Sequence, residues 1–276
     1  MLQAVAEQQI VPDLAVGTSV GSVNGAMVAL DPAGAAGRLA QVWAGMTRET
    51  IFPGGLLAQA RMLRRSRTHL FPNTGLAAVL TRFLGRAGTF ADLALPLGVV
   101  TTDIATAAPH VLTDGRLLPA LLASAAIPGI YPWVEHEGRR LYDGGVVANA
   151  PMGQAIALGA RSLVVFDCGF RGQLPPPPET LASVLLFTAT ITTRTQAVLE
   201  APIAAAQLPV VYLPGPAPRY VSPPDFTCTG AFIEGAYHAA RASWRRSLST
   251  DRASTGRAPA ETVTVCDARE HDGAGG

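Results

Sequence analysis

Pro12-Asp13-Leu14-Ala15-Val16-Gly17-Thr18-Ser19-Val20-Gly21-Ser22-Val23-Asn24-Gly25-Ala26 is the stretch on which the fold turns. Leu14 to Gly17 is a short apolar run that reads as a strand. Val20 to Leu30 reads as a small-residue helix, stopped at Asp31-Pro32. Between them Gly17-Thr18-Ser19-Val20-Gly21 fits G-x-S-x-G at a strand-to-helix turn, the context that makes this short pattern informative. Glycines two residues to either side let strand and helix backbones approach without a Cβ clash. Ser19 then projects at the helix start, where unpaired amides and the helix dipole favour negative charge on an attacking alkoxide or a tetrahedral oxyanion. Taken alone the pentapeptide is equally what a plain tight turn looks like.

Working outward, Asp31 is expected to cap a second helix with Pro32 at its first position and Leu39, Val42, Trp43 and Met46 on one face. Leu56 to Gly88 is helical in pattern, broken at Phe71-Pro72-Asn73, and Pro96 to Thr102 is strand-like. His110-Val111-Leu112 followed by Thr113-Asp114-Gly115 looks like the end of a hairpin. A helix over Leu117 to Ala126 ends at Ile127-Pro128-Gly129. Two strands, Tyr131 to Glu135 and Arg139 to Tyr142, flank the turn His136-Glu137-Gly138, and Asp143-Gly144-Gly145 follows. Pro151 starts a helix to Leu158. Arg161 to Asp167 reads as a buried strand, Leu208 to Leu213 as another, and Phe232 to Leu248 as a last amphipathic helix. Pro175 to Pro178 must be extended. The expected organisation is one domain over residues 1–248 with a disordered tail over 249–276.

Composition limits the function classes. The 276 residues suffice for one large α/β domain, and 49% hydrophobic against 15% charged suits a buried sheet rather than a disordered chain. Formal net charge is +1, from 21 Lys+Arg and 20 Asp+Glu, so bulk charge gives no reason to expect a nucleic-acid partner. Cys168, Cys228 and Cys266 are far apart and in no metal-ligand spacing, so neither a disulfide framework nor a metal site is expected. Met1 to Leu14 has no basic start and does not resemble a signal peptide, and a reducing, cytoplasmic compartment is expected. Leu117 to Val134 is uncharged, but Pro119, Pro128, Gly129 and Pro132 interrupt it, which argues for a buried segment rather than a membrane span. Mean hydropathy is +0.27, compatible with peripheral contact at a lipid surface. Arg61, Arg64, Arg65 and Arg67, interleaved with Leu57, Met62, Leu63 and Leu70, make the one compact basic and apolar stretch. It reads either as a solvated helix face or as a contact for anionic headgroups.

Four blocks in order carry a family resemblance: Pro12 to Ala26; Ala123-Ser124-Ala125-Ala126-Ile127-Pro128-Gly129; Asp143-Gly144-Gly145; and Asn149-Ala150-Pro151. Together they resemble the patatin-like phospholipases, tightly over Val11 to Ala26 and Ala123 to Gly159, and weakly after Arg171. The resemblance implies an α/β fold, three-layer α/β/α with a mainly parallel central sheet. It also implies a dyad of Ser19 and Asp143 working without histidine, elbow and oxyanion backbone at Gly17, Val20 and Gly21, and support for the aspartate from Gly144 and Gly145. The implied substrate is a lipid ester, of phospholipid, lysophospholipid or acylglycerol type, with no metal or organic cofactor. A carboxylate with an ordinary pKa near ~4 is a poor base for a serine unless burial raises its basicity. On the residues alone Asp143 is also an ordinary Asp-Gly turn.

Ser19, Asp143 and His238 follow the chain order of an α/β-hydrolase triad, but that fold places several strands before the nucleophile and here at most one precedes it. His238 sits in a helical pattern and reads as a surface or packing residue, His136 as a hairpin tip, and His69 and His110 have no partner pattern. The family's glycine-rich oxyanion loop, G-G-G-x-[RK]-G, and the strand before it have no counterpart upstream of Ser19. A start placed downstream of the true one and a truncated paralogue are the two explanations. The competing functions are therefore a lipid acyl hydrolase, a catalytically silent lipid-binding or regulatory relative, and an acyltransferase. An exposed sheet edge or gap is a further expectation.

Overall fold

The computed structural model describes residues 1–52, 54–168, 179, 181–213, 215 and 225–255. A short helix, α1 (Leu2–Ala6), precedes β1 (Ala15–Thr18), and the chain turns at Ser19 into α2 (Val20–Leu30). Helices α3 (Ala35–Ala44), α4 (Arg48–Ile51), α5 (Leu56–Ser66) and α6 (Thr74–Leu84) follow. Then come β2 (Leu97–Asp103), β3 (Ala108–Leu112), α7 (Leu117–Ser124), β4 (Val134–His136) and β5 (Arg139–Asp143). The remaining elements are α8 (Met152–Ala157), β6 (Leu163–Phe166), α9 (Leu181–Ala205), β7 (Val210–Leu213) and α10 (Thr229–Thr255). The four-proline run and residues 256–276, where most of the expected tail falls, lie outside the described residues.

The organising strand is β2, buried at every position. Its side chains alternate between two helical layers. Leu97 lies against Gly25 of α2, and Leu97 and Val99 join one core with residues of α2, α6 and α7. Gly98 points the other way, where a Cβ would stand 2.7 Å from the Leu158 side chain at the end of α8. Helices on both faces explain why the strand is an unbroken apolar run with no polar side. Sheet and helices form the α/β architecture that the sequence implies.

Pairing registers locate the site. β3 runs antiparallel along Val99–Asp103 and so occupies one edge of β2. β1 pairs in parallel with Leu97–Val100, and β5 pairs antiparallel with Thr101–Asp103. Since β3 overlaps both stretches, β1 and β5 must share the other edge and meet end to end between Val100 and Thr101. Thr18 lies opposite Val100 and Asp143 opposite Thr101, adjacent residues of one strand. β4 adds antiparallel to β5, and Arg139 at the start of β5 pairs with the buried Asp103 at 2.7 Å.

Two expectations need correction. The second helix starts at Ala35, after Gly34, so Pro32 lies before it and Met46 beyond its end. Asp31 still caps this entry: its carboxylate accepts from the Gly34 N–H at 3.0 Å and its carbonyl from the Ala35 N–H at 2.9 Å. The run Arg161 to Asp167 does form a strand, β6, but a half-exposed one, with Phe166 40% exposed. Its partner is β7, paired in parallel in a two-stranded sheet of its own, so apolar cover comes from fewer neighbours than β2 has. Among the described residues β1 has β2 as its one strand partner. A second apolar cluster, of Ala4, Val5, Leu213 and Ala240, ties α1 to β7 and α10.

Candidate active site

Ser19 takes φ 53° and ψ −124°, a conformation that costs an L-residue about 1–3 kcal/mol and persists where the surroundings impose it. Several contacts do so. The Ser19 N–H donates to Ser124 Oγ at 2.9 Å, and the Ser124 hydroxyl donates to the Val100 carbonyl at 2.7 Å, so the turn is tied to β2 through one buried side chain. The Ser22 hydroxyl donates to the Ser19 carbonyl at 2.6 Å. A Cβ on Gly17 would overlap the Gly21 carbonyl, so glycine is required there. Gly21 itself has open space where its Cβ would lie, so close approach does not require a glycine at that position, contrary to the symmetrical expectation. The backbone presses only one way, from Gly21 onto Gly17.

Asp143 arrives from β5 with its N–H donated to the Ala126 carbonyl at 3.0 Å and its carbonyl accepting from Thr102 Oγ1 at 2.8 Å. The chain must then leave the edge of β2, because β1 occupies the next position. Gly144 makes that departure: a Cβ there would overlap the Val100 carbonyl and stand 3.1 Å from the Thr18 methyl. The Gly145 N–H returns to Asp143 Oδ1 at 2.7 Å. Thr18 Oγ1 donates to the Ala148 carbonyl at 2.8 Å, closing the β1 end against the aspartate turn.

The Ser19 side chain lies close enough to the Asp143 carboxylate to act on its pKa. Burial pushes the Asp143 pKa up to about 6, against the opposing pull of Ser19 and of the Gly145 N–H. A serine side chain therefore lies beside a carboxylate of raised basicity, at the start of α2. The first N–H groups of a helix have no intrahelical acceptor. Those of Ser22 and Val23 turn to the Ser19 carbonyl, which leaves the N–H groups of Val20 and Gly21 without an acceptor in the helix.

The structure brings together Ser19, Asp143, Gly17, Val20, Gly144 and Gly145. The histidines weighed above lie elsewhere. His238 is on α10, largely exposed, with Glu234 at 3.9 Å, and His69 meets Thr68. His110 pairs across to Thr101 from the opposite edge of β2, and His136 ends β4. Among the described residues no group of three or more His, Cys, Asp and Glu is placed to hold a metal ion. A surface recess of about 430 Å³ lined by Thr89, Phe90, Thr113 and Gly115 contains none of the site residues.

Three supporting side chains had no signal of their own in the sequence. Ser124 lay inside a quoted block without an assigned role. Gln196, on α9, accepts from the Asn149 N–H at 3.0 Å through Oε1 and donates to the Val146 carbonyl at 2.8 Å through Nε2, clamping both ends of the loop after Asp143. One turn on, Glu200 lies by the start of α8, and burial raises its pKa against the pull of the Met152 backbone. Each partner is far away in sequence, so no local pattern could report them.

The patatin-like phospholipase family model matches residues 1–156, which include Ser19, Ser124 and Asp143. Patatin-like phospholipase domain-containing protein 7 of Mus musculus is 31% identical over 177 residues, 63% of this chain and 12% of that protein. Patatin-like phospholipase domain-containing protein 6 of Homo sapiens is 30% identical over 176 residues, again 63% and 12%. Lysophospholipase NTE1 of Mycosarcoma maydis is 26% identical over 178 residues, 61% of this chain and 9% of that protein. The chain thus spans about a tenth of the length of the curated relatives it matches.

Proposed function

Because the chain belongs to the patatin-like phospholipase family, we propose that it is a serine acyl hydrolase cleaving lipid esters, with Ser19 as nucleophile and Asp143 as its base. The observation that carries this is a buried carboxyl, its pKa raised to about 6, placed beside the side chain of a serine on a strained turn. In the first step Asp143 takes the Ser19 proton as Oγ attacks the ester carbonyl. The resulting oxyanion is met by the Val20 N–H at the start of α2. Collapse expels the alcohol, which takes the proton back from Asp143 and leaves an acyl-enzyme. Asp143 then draws a proton from water as the water oxygen attacks the acyl carbon, and hands that proton to Ser19 Oγ as the acid is released. A relative named as a lysophospholipase makes phospholipids and lysophospholipids the first substrates to try. Among the described residues no helix is long and apolar enough to cross a membrane, so the lipid is proposed to be met at a surface.

The test is labelling by a fluorophosphonate probe together with hydrolysis of a soluble short-chain ester. Wild type should label and turn over, Ser19→Ala should do neither, and Asp143→Asn should lose about 10³-fold or more in turnover with the fold kept. Labelling that survives Ser19→Ala removes the nucleophile. Full turnover in Asp143→Asn removes the base. A folded wild type that neither labels nor hydrolyses favours the catalytically silent lipid-binding alternative.

A further inference from the structure

We propose that α5 is the element by which this protein docks on an anionic lipid bilayer, an inference that rests on the lipid-ester reading above and names the partner of that site. Between Glu49 and Asp92 the chain has no acidic residue, yet it carries Arg61, Arg64, Arg65, Arg67, Arg82 and Arg86. All six are exposed, and none is in an ion pair among the described residues. Formal net charge over the whole chain is only +1, so this stretch is an excess of positive charge on a nearly neutral molecule.

The helix is also apolar where a solvated helix would be polar. None of its described side chains is buried, and Leu57 is 89% and Leu63 46% exposed. Leu57 lies one turn before Arg61, and Arg64 and Arg65 lie one turn after it, so the guanidinium groups follow an exposed aliphatic side chain along one face. Arginines at these spacings repel one another with no local carboxylate to relieve them, and an anionic surface would supply that relief. Aliphatic side chains among arginines, without stacking aromatics, suit acyl chains under phosphate headgroups better than nucleic acid.

The helix hangs on the body through the segment that follows it. The Leu70 N–H donates to the Gly129 carbonyl at 3.1 Å and the Phe71 N–H to the Ile130 carbonyl at 2.9 Å. That loop continues directly from Ser124, which holds the Ser19 N–H, and it exposes 39% of Ile127. A bilayer bound at α5 is thus attached to the segment that sets the nucleophile turn.

The test is co-sedimentation of the full chain with vesicles of phosphatidylcholine alone and of phosphatidylcholine with phosphatidylglycerol. We expect binding to the anionic vesicles and little to the neutral ones. R61Q/R64Q/R65Q should weaken anionic binding about a hundredfold, at roughly a factor of five per arginine, and L57Q should weaken it further. The exposed positions should leave the thermal midpoint unchanged. Equal vesicle binding by the triple variant overturns the proposal, and so does wild-type binding that ignores phosphatidylglycerol. It is also overturned if the triple variant converts a solution dimer to monomer while vesicle binding is kept, because α5 is then a contact between copies. Ser19→Ala should bind vesicles as wild type does. A chain that binds vesicles but cleaves no ester removes only the hydrolase reading; one that cleaves soluble ester but ignores anionic vesicles removes only the docking.

Discussion

β2 and β6 read alike as sequence, Leu-Gly-Val-Val-Thr-Thr-Asp against Leu-Val-Val-Phe, and differ in what surrounds them. β2 has β3 on one edge, β1 and β5 on the other, and helices over both faces; every one of its residues is buried. β6 has β7 alone, and Phe166 at its end is 40% exposed. An apolar β-branched run therefore reports a strand but not its depth, because depth is a property of the neighbours. The crowding around β2 also has a chemical result: it presses Thr18 and Asp143 onto adjacent positions and strips water from the carboxyl group placed there.

The largest expected effect follows from that burial. Asp143 has a folded-state pKa of about 6, above the ordinary carboxylate value near ~4. Between those values the unfolded chain has released a proton that the folded chain still holds, so stability should fall as pH rises from about 4 to about 6 and then level off. The integrated loss is up to about 3 kcal/mol at neutral pH, taking 1.36 kcal/mol per pKa unit. Urea unfolding from pH 4 to pH 8 should show this slope in wild type and lose it in Asp143→Asn, which should be the more stable protein at pH 7. Parallel curves would mean that the environment of β2 does not set this carboxyl group apart.

A direct measurement of the contrast is the pair Val100→Ala and Val165→Ala. Val100 is 0% exposed, and losing its methyl groups should cost about 2 kcal/mol through lost burial and the cavity left behind. Val165 is only partly buried and should cost under about 1 kcal/mol. Chemical denaturation with equal m-values would read both, and equal costs would break the comparison.

What was legible in the sequence divides along the same line. Local chemistry marked α2 at Val20 and Leu30, placed β2 within a residue at each end, and put Asp143-Gly144-Gly145 after a hairpin strand, because glycine, proline and periodicity act over a few residues. The requirement at Gly17 was legible for the same reason. The absence of one at Gly21 was not, since it depends on which backbone lies over which. Ser124 and Gln196 were silent: a serine at the end of a leucine-rich helix and a glutamine in a long helix acquire meaning only from an amide 105 and 47 residues away. The depth of β6 failed for want of the same kind of information.

Gln196 gives the smallest effect and the finest test, because it reaches from the β6 side of the molecule into the β2 side. Its amide holds Asn149 N–H and Val146 C=O, the two ends of the loop that follows Asp143, and touches no reacting atom. Gln196→Leu removes both bonds. Each is worth about 1 kcal/mol net, but the partners are backbone groups that water can reach once the loop loosens, so only part of that should appear as lost stability. The rest should appear as misplacement of Asp143. We expect kcat for a soluble ester to fall about tenfold with KM little changed, one factor of ten for 1.4 kcal/mol of lost alignment. The acidic limb of the pH profile, set by Asp143, should move down as the loop admits water and the carboxyl group is rehydrated. Gln196→Glu keeps the acceptor for Asn149 N–H and loses the donor to Val146, so it should fall between wild type and Gln196→Leu. If all three proteins share one pH profile and one kcat, α9 only packs against the site, and the region beyond the family match contributes nothing to its geometry.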